Sequence, residues 1–118
     1  MVDLNKEALP QRYNIYVWKG DYVEVPLYFT DDNSLPEDLT SYTGKADIVQ
    51  NGNVIVSFDV SIDANDGVAT LMLESTDSAT LMPGIYKYDF QLVQDITNRV
   101  RTYIYGAVVV RGENTVGI

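Results

Sequence analysis

The chain has 118 residues, room for one core of ordinary size, and 46% of them are hydrophobic and 11% aromatic, which excludes a chain disordered throughout. Eight Lys and Arg against 17 Asp and Glu leave a formal charge of −9, the wrong sign for a module that grips phosphate backbones. With no Cys and no His, thiol chemistry, disulfides, imidazole bases and the usual zinc or haem ligands are all absent.

Residues 1–10 carry charges where an export signal needs an uninterrupted apolar run, and no stretch approaches the ~20 apolar residues of a membrane-spanning helix. The expectation is a soluble product of a cytoplasm with no membrane partner. Period-two alternation dominates the chain, and helical spacing is nearly missing, so the elements read as all-β. A first strand over residues 13–18 is closed by Lys19-Gly20-Asp21. A second follows, with Val23, Val25, Leu27 and Phe29 turned to the core. Pro26 in that strand has no N–H to donate, which places it at an edge or a bulge. The polar run 30–38 is a surface loop, and Leu39 after it is expected to plug the core.

A third strand over residues 45–50 meets Asn51-Gly52-Asn53, a tight hairpin turn whose residues accept positive φ, and 54–62 return from it. Residues 63–67 form another turn and 68–73 another strand. Residues 75–81 are the one plausible helical turn, capped by Ser75 or Thr76 and ended by Pro83-Gly84. The next strand puts Tyr86, Tyr88, Phe90 and Leu92 on one face. Its start matches a tyrosine corner, with the Tyr86 hydroxyl bonding back to the preceding connection, or else is a plain Gly-led strand start. After a turn at residues 95–98, the strand 99–111 sets Val100, Thr102, Ile104, Gly106, Val108 and Val110 against Arg101, Tyr103, Tyr105, Ala107 and Val109. About seven strands at this spacing predict a two-sheet antiparallel immunoglobulin-like β-sandwich. One domain, 1–118, is expected, with an unpaired N-terminal arm (1–11), the sandwich (12–110) and a C-terminal tail (111–118).

Chemistry is thinly represented. Asp63, Asn65, Asp66 and Gly67 resemble the opening of a calcium loop, but the remaining ligands of that pattern are missing and a hairpin turn explains them better. Asp31, Asp32, Glu37 and Asp38 form an acidic loop, solvated or turned to a cation or a basic partner. No carboxylate pair stands out, and the serines have no His to activate them, so no enzyme, cofactor or metal site is expected. The informative residues are Tyr16, Trp18, Tyr22, Tyr28, Tyr103 and Tyr105, rings suited to a protein interface or to sugar stacking unless the domain covers them itself.

Three stretches together carry a resemblance: Gly20-Asp21 leading into an alternating strand and then Asp38-Leu39-Thr40; Pro83-Gly84-Ile85-Tyr86-Lys87-Tyr88-Asp89; and the closing strand with Val100, Thr102 and Gly106. Over residues 14–110 the chain resembles the small β-sandwich proteins of tailed bacteriophages, including the N-terminal domain of the baseplate upper protein family. That resemblance implies a structural virion protein, made in the host cytoplasm, that binds other virion proteins and forms a homo-oligomer, without nucleic acid. Contacts are then expected from the arm (Leu4, Leu9), the Pro26 edge with Tyr28, the rings of Trp18, Tyr103 and Tyr105, and the tail (Val116, Ile118). The alternative is a carbohydrate-binding sandwich for host-surface adsorption, with Tyr16, Trp18 and Tyr28 as a stacking platform.

Overall fold

The structure is a computed structural model, and it describes residues 2–4 and 9–112. Its strands are β1 (Val2–Leu4), β2 (Gln11–Arg12), β3 (Ile15–Trp18), β4 (Val23–Phe29), β5 (Tyr42–Gln50), β6 (Asn53–Asp63), β7 (Val68–Leu73), β8 (Gly84–Gln94) and β9 (Val100–Arg111), with one short helix, α1 (Ser75–Ser78). The all-β expectation holds, but the two-sheet immunoglobulin-like sandwich does not. The strands form one sheet in the order β1-β4-β7-β6-β5-β8-β9-β2, with β3 also on β9. It is a single curled sheet, an open half-barrel of which the core lines the concave side.

The continuity rests on β6. Its first half pairs with β5 as far as Phe58 opposite Ala46, and from Asp59 onward it pairs with β7 instead. One strand thus carries the ladder around the corner that a sandwich would leave as a gap between sheets. The corner falls at Gly44, where a Cβ would overlap the Val60 side chain as β6 peels away from β5. At the other end of the β5–β6 ladder the expected hairpin turn is present, narrowed to two residues, Asn51 (φ 54°) and Gly52 (φ 79°), because Asn53 already pairs with Gln50.

Curling brings β4 over β8 and β9. Phe29 packs against Phe90 with ring centroids 6.3 Å apart and meets the edge of Tyr103 at 5.1 Å. Phe58 and Tyr88 pack edge-on at 6.0 Å. Leu39 is buried as expected, and so is Leu81. Tyr103 reaches the core through a bulge: Phe90 pairs with Ile104 and Gln91 with Thr102, so Tyr103 is the extra residue between them. A bulge reverses side-chain parity, which turns Tyr103 inward beside Ile104 and leaves Val100 exposed.

The region read as an unpaired arm carries two strands, and both run parallel to their partners. β1 lies beside Leu27, Tyr28 and Phe29 of β4, and Leu4 is buried there. Thr30 donates its N–H to Leu4 O while Phe29 donates to Gly67 O, so even-numbered residues of β4 face the β1 flank. Pro26 therefore turns its missing donor to the flank just beyond β1, an edge position where no N–H is wanted.

The β3–β4 turn is pinned to α1. Ser78, a fully buried hydroxyl, accepts a hydrogen bond from Gly20 N (3.0 Å) and donates to Asp21 O (2.7 Å). Lys19 Nζ donates to Ala79 O (2.5 Å) and Leu81 O (2.8 Å). The helix start differs from expectation: Glu74, with no side-chain cap bond, stands in the cap position in place of Ser75 or Thr76. Tyr86 Oη donates to Met82 O at 2.7 Å, the bond a tyrosine corner would make. Replacing Ser78 with Ala strips both turn contacts and should lower stability by about 1–3 kcal/mol, read as a fall in the urea midpoint with an unchanged slope.

Candidate assembly interface

β2 and β3 are two pieces of one line laid parallel along β9. Gln11 pairs with Ile104, Arg12 with Tyr105 and Ile15 with Val108, all in the same register, so only Tyr13 and Asn14 interrupt the strand. The gap is bridged on both sides. Tyr13 N donates to Tyr105 O (2.9 Å), and Asn14 Oδ1 accepts from Ala107 N (3.0 Å) in place of a backbone carbonyl. From the concave side Tyr88 Oη donates to Tyr13 O at 2.6 Å, and burial pushes the Tyr88 phenol above its ordinary value, so it stays a neutral donor. Gly106 makes the approach possible, since a Cβ there would collide with the Tyr13 carbonyl.

This line is the end of the open sheet, and its geometry decides what it presents. Tyr13 N and Lys19 N both donate into β9. By the period of two, Ile15 and Val17 do likewise, while Tyr16 and Trp18 turn their backbone groups away from β9; the Trp18 carbonyl there accepts from Asp21 N (2.9 Å). Their side chains are exposed as well, Tyr16 at 69% and Trp18 at 51%, whereas Ile15 and Val17 are buried.

The convex face continues from these rings. Tyr16 pairs with Val109, and Val109 with Ile85, which is 68% exposed. A depression of about 420 Å³ lies between Trp18, Ile85, Val109 and Arg111, and a wider one of about 630 Å³ adjoins it along Arg12, Lys87, Asp89 and Tyr105. Both are shallow troughs on the sheet surface.

Charge is unevenly placed. Residues 8–20 and 96–112, which hold β2, β3 and β9, contain Arg12, Lys19, Arg99, Arg101 and Arg111 and no Asp or Glu. The −9 chain thus has one basic, ring-bearing end, while the acids gather on the rest of the sheet and its loops. Asp89, next to this end, has its carboxyl raised above the ordinary 3.8 by partial burial and by Asp47, against a lowering by Lys45. A raised carboxyl binds its proton more tightly folded than unfolded. Its contribution therefore favours the fold as pH falls through the raised value towards 3.8, and weakens it as pH rises. Asp89→Asn should flatten that part of the stability–pH curve, measurable by urea titrations across the acidic range.

The expected contact residues do not all come together. Trp18 and Tyr105 lie exposed on the end formed by β3 and β9, and Leu9 is exposed shortly before β2. Tyr103 is a core residue against Phe29, and Leu4 is buried in its own chain, so neither offers a free surface. Pro26 and Tyr28 are partly buried on β4, and Tyr28 alternates with the core-facing Phe29, so it points out from the opposite half of the sheet. The platform of Tyr16, Trp18 and Tyr28 is not assembled. Val116 and Ile118 lie outside the described residues. Arg111, the first residue of the expected tail, and Val109, on the expected outer side of the last strand, belong to this surface, and so do Arg12 and Ile85, which the sequence reading does not single out although the outward parity of Ile85 is legible from the alternation around Tyr86. Among the described residues, no three acidic side chains converge in a group able to hold a metal ion.

No protein-family model matches the chain, and neither does any curated protein. The N-terminal domain of phage TP901-1 ORF48 superposes with a TM-score of 0.58 at 13% identity, over 93% of this chain and 95% of that one. The fold is shared with a phage domain. At that identity the likeness speaks for the fold alone. The cysteine protease inhibitor EhICP2 from Entamoeba histolytica (TM-score 0.47, 12% identity, 93% of this chain and 94% of that one) and a family 123 glycoside hydrolase from Clostridium perfringens (0.43, 12%, 92% and 24%) are more distant, and nothing about function follows from them.

Proposed function

We propose that the chain is a structural protein of a tailed-phage particle and that it joins neighbouring virion proteins through the end of its sheet formed by β3, β9 and β8. The observation that carries this reading is the row Tyr16, Val109 and Ile85 beside Trp18, apolar side chains left on the surface of a domain that has a filled core of its own. The whole-length likeness to the TP901-1 ORF48 domain supports the phage setting, as does the resemblance in Pro83-Gly84-Ile85-Tyr86 and its neighbouring motifs. The surface suits protein contact better than sugar stacking, because the third ring of the sugar platform lies on the other half of the sheet. In this reading the chain is made in the infected host, works within the virion and performs no catalysis.

Quantitative mass spectrometry of gradient-purified phage particles tests the setting. The chain should be present at a fixed copy number relative to the tail proteins. Its absence from particles that are otherwise complete would refute the reading.

A further inference from the structure

The end of the sheet is more than an apolar surface; among the described residues it is an unguarded edge. Folded proteins protect open strands with Pro, with charge or with a covering segment. The opposite end of this sheet uses all three, through Pro26, Glu24 and β1 on the flank of β4. β3 uses none: Ile15-Tyr16-Val17-Trp18 has no Pro and no charge, and among the described residues no strand lies on its outer side. Tyr16 aims its N–H and C=O outward and Trp18 its N–H, in the parity set by the Tyr13 and Lys19 bonds to β9, while the Trp18 carbonyl accepts from Asp21 N (2.9 Å) in the turn that follows.

The flanks indicate what would pair there. Arg12 stands at one end of the line, and Arg111, opposite Trp18, stands at the other. They are separated by about six residues of strand, roughly 20 Å. No acid occurs in residues 8–20 or 96–112. We propose that β3 accepts an extended strand from a partner polypeptide, and that this strand carries acidic residues at its ends to meet Arg12 and Arg111. Main-chain bonds to the Tyr16 N–H and C=O and to the Trp18 N–H hold it, and charge selects it. A second copy is the weaker candidate, because two β3 edges would bring two basic ends together and the β4 flank has Pro26 where a donor is needed. This inference rests on the assembly reading and names the partner's chemistry, but its test is separate from the particle measurement above.

Trp18 is the only Trp, so its emission reports on the edge directly. The probe is a capped heptapeptide alternating Val and Thr with Glu at both ends, titrated into the full chain. Two controls accompany it: the same peptide with Lys for Glu, and one with N-methyl groups on two adjacent central amides, which blocks both of its edges. The acidic peptide should shift the Trp18 emission and slow hydrogen exchange at the Tyr16 and Trp18 amides. The Lys peptide should bind at least about tenfold more weakly, and the N-methylated peptide not at all. Tyr16→Pro removes one outward N–H without touching a β9 bond, so it should keep the thermal midpoint and lose binding; should it unfold, the N-methylated peptide still decides. No binding of the acidic peptide at millimolar concentration, equal binding of the Lys peptide, or protection elsewhere on the sheet would overturn the proposal. Protection of the same amides without peptide, rising with protein concentration, would assign the edge to a second copy and overturn it too. Failure of this test with the chain still present in particles would leave the structural role standing and remove only the strand-accepting edge.

Discussion

Phe29→Ala should cost about 3–5 kcal/mol, one of the largest losses available to a single substitution in this chain. In a two-sheet sandwich many inner residues share the contact between layers. In the half-barrel, Phe29 on β4 meets Phe90 on β8 and Tyr103 on β9, so one side chain spans the concave space between the halves of the sheet. It is fully buried, and its removal leaves a cavity faced by two rings that are themselves held by strand pairing. Collapse into that space would require the sheet to curl further, and Gly44 and Val60 already touch at the corner. The expected readout is a large fall in the urea midpoint with retained β-type circular dichroism at low urea. A change below about 1 kcal/mol would mean that the two halves do not pack on one another as described.

Gly106→Ala should be nearly as damaging, although it adds a single methyl group at a half-buried position of β9. Gly106 is not in the left-handed region, so the cost is not one of backbone conformation. It is one of space: the new Cβ would lie 2.9 Å from the Tyr13 carbonyl carbon, 3.0 Å from Asn14 Oδ1, and closer still to the Tyr13 oxygen. Backbone atoms held by Tyr88 Oη and by Tyr105 O cannot move aside as the end of a flexible side chain can. Relief comes only by lifting the β2–β3 line from β9, with loss of the Tyr13, Asn14 and Tyr88 bonds. Overpacking and those bonds together amount to about 3 kcal/mol or more. Hydrogen exchange should locate the loss, with the β2 and β3 amides opening well before those of β4 and β7. Uniform acceleration across the sheet, or none, would show that Gly106 does not govern this end of the molecule.

Much of the strand content is legible in the letters, for a simple reason. Alternation such as Val23, Val25, Leu27 and Phe29, and turn pairs such as Asn51-Gly52, report on neighbours one or two residues away. What joins strands is longer in range. The inner face of one curled sheet and the facing sides of two sheets bear the same alternation, so the sandwich expectation failed on β6, whose eleven residues serve both halves. Strict alternation sets Tyr103 with Arg101 and Tyr105, outward unless the domain covers the ring itself, because a bulge against Phe90 and Gln91 leaves no mark in a composition of Thr, Tyr and Ile. Residues 2–4 and 11–12 pair in parallel with strands far along the chain, and segments of two or three residues are too short to carry a periodic signal.

The surface was half legible for the same reason. Trp18 and Tyr16 could be singled out as rings in outward parity, and Pro26 as an edge residue, since each property belongs to the residue itself. That Trp18, Val109 and Ile85 share one face while Tyr28 is on the far half depends on sheet order, which pattern alone does not supply. The basic end likewise exists only once residues 8–20 are laid beside 96–112.

The proposed assembly requires the β3 edge to be open in the free chain and occupied in the assembled one. The measurement that addresses it most directly is hydrogen–deuterium exchange of the peptide containing Tyr16 and Trp18, compared between the isolated protein and purified particles. Fast exchange of these amides in isolation and strong protection in the particle is the predicted result. Equal exchange in both states, with the chain present in the particle, would contradict it.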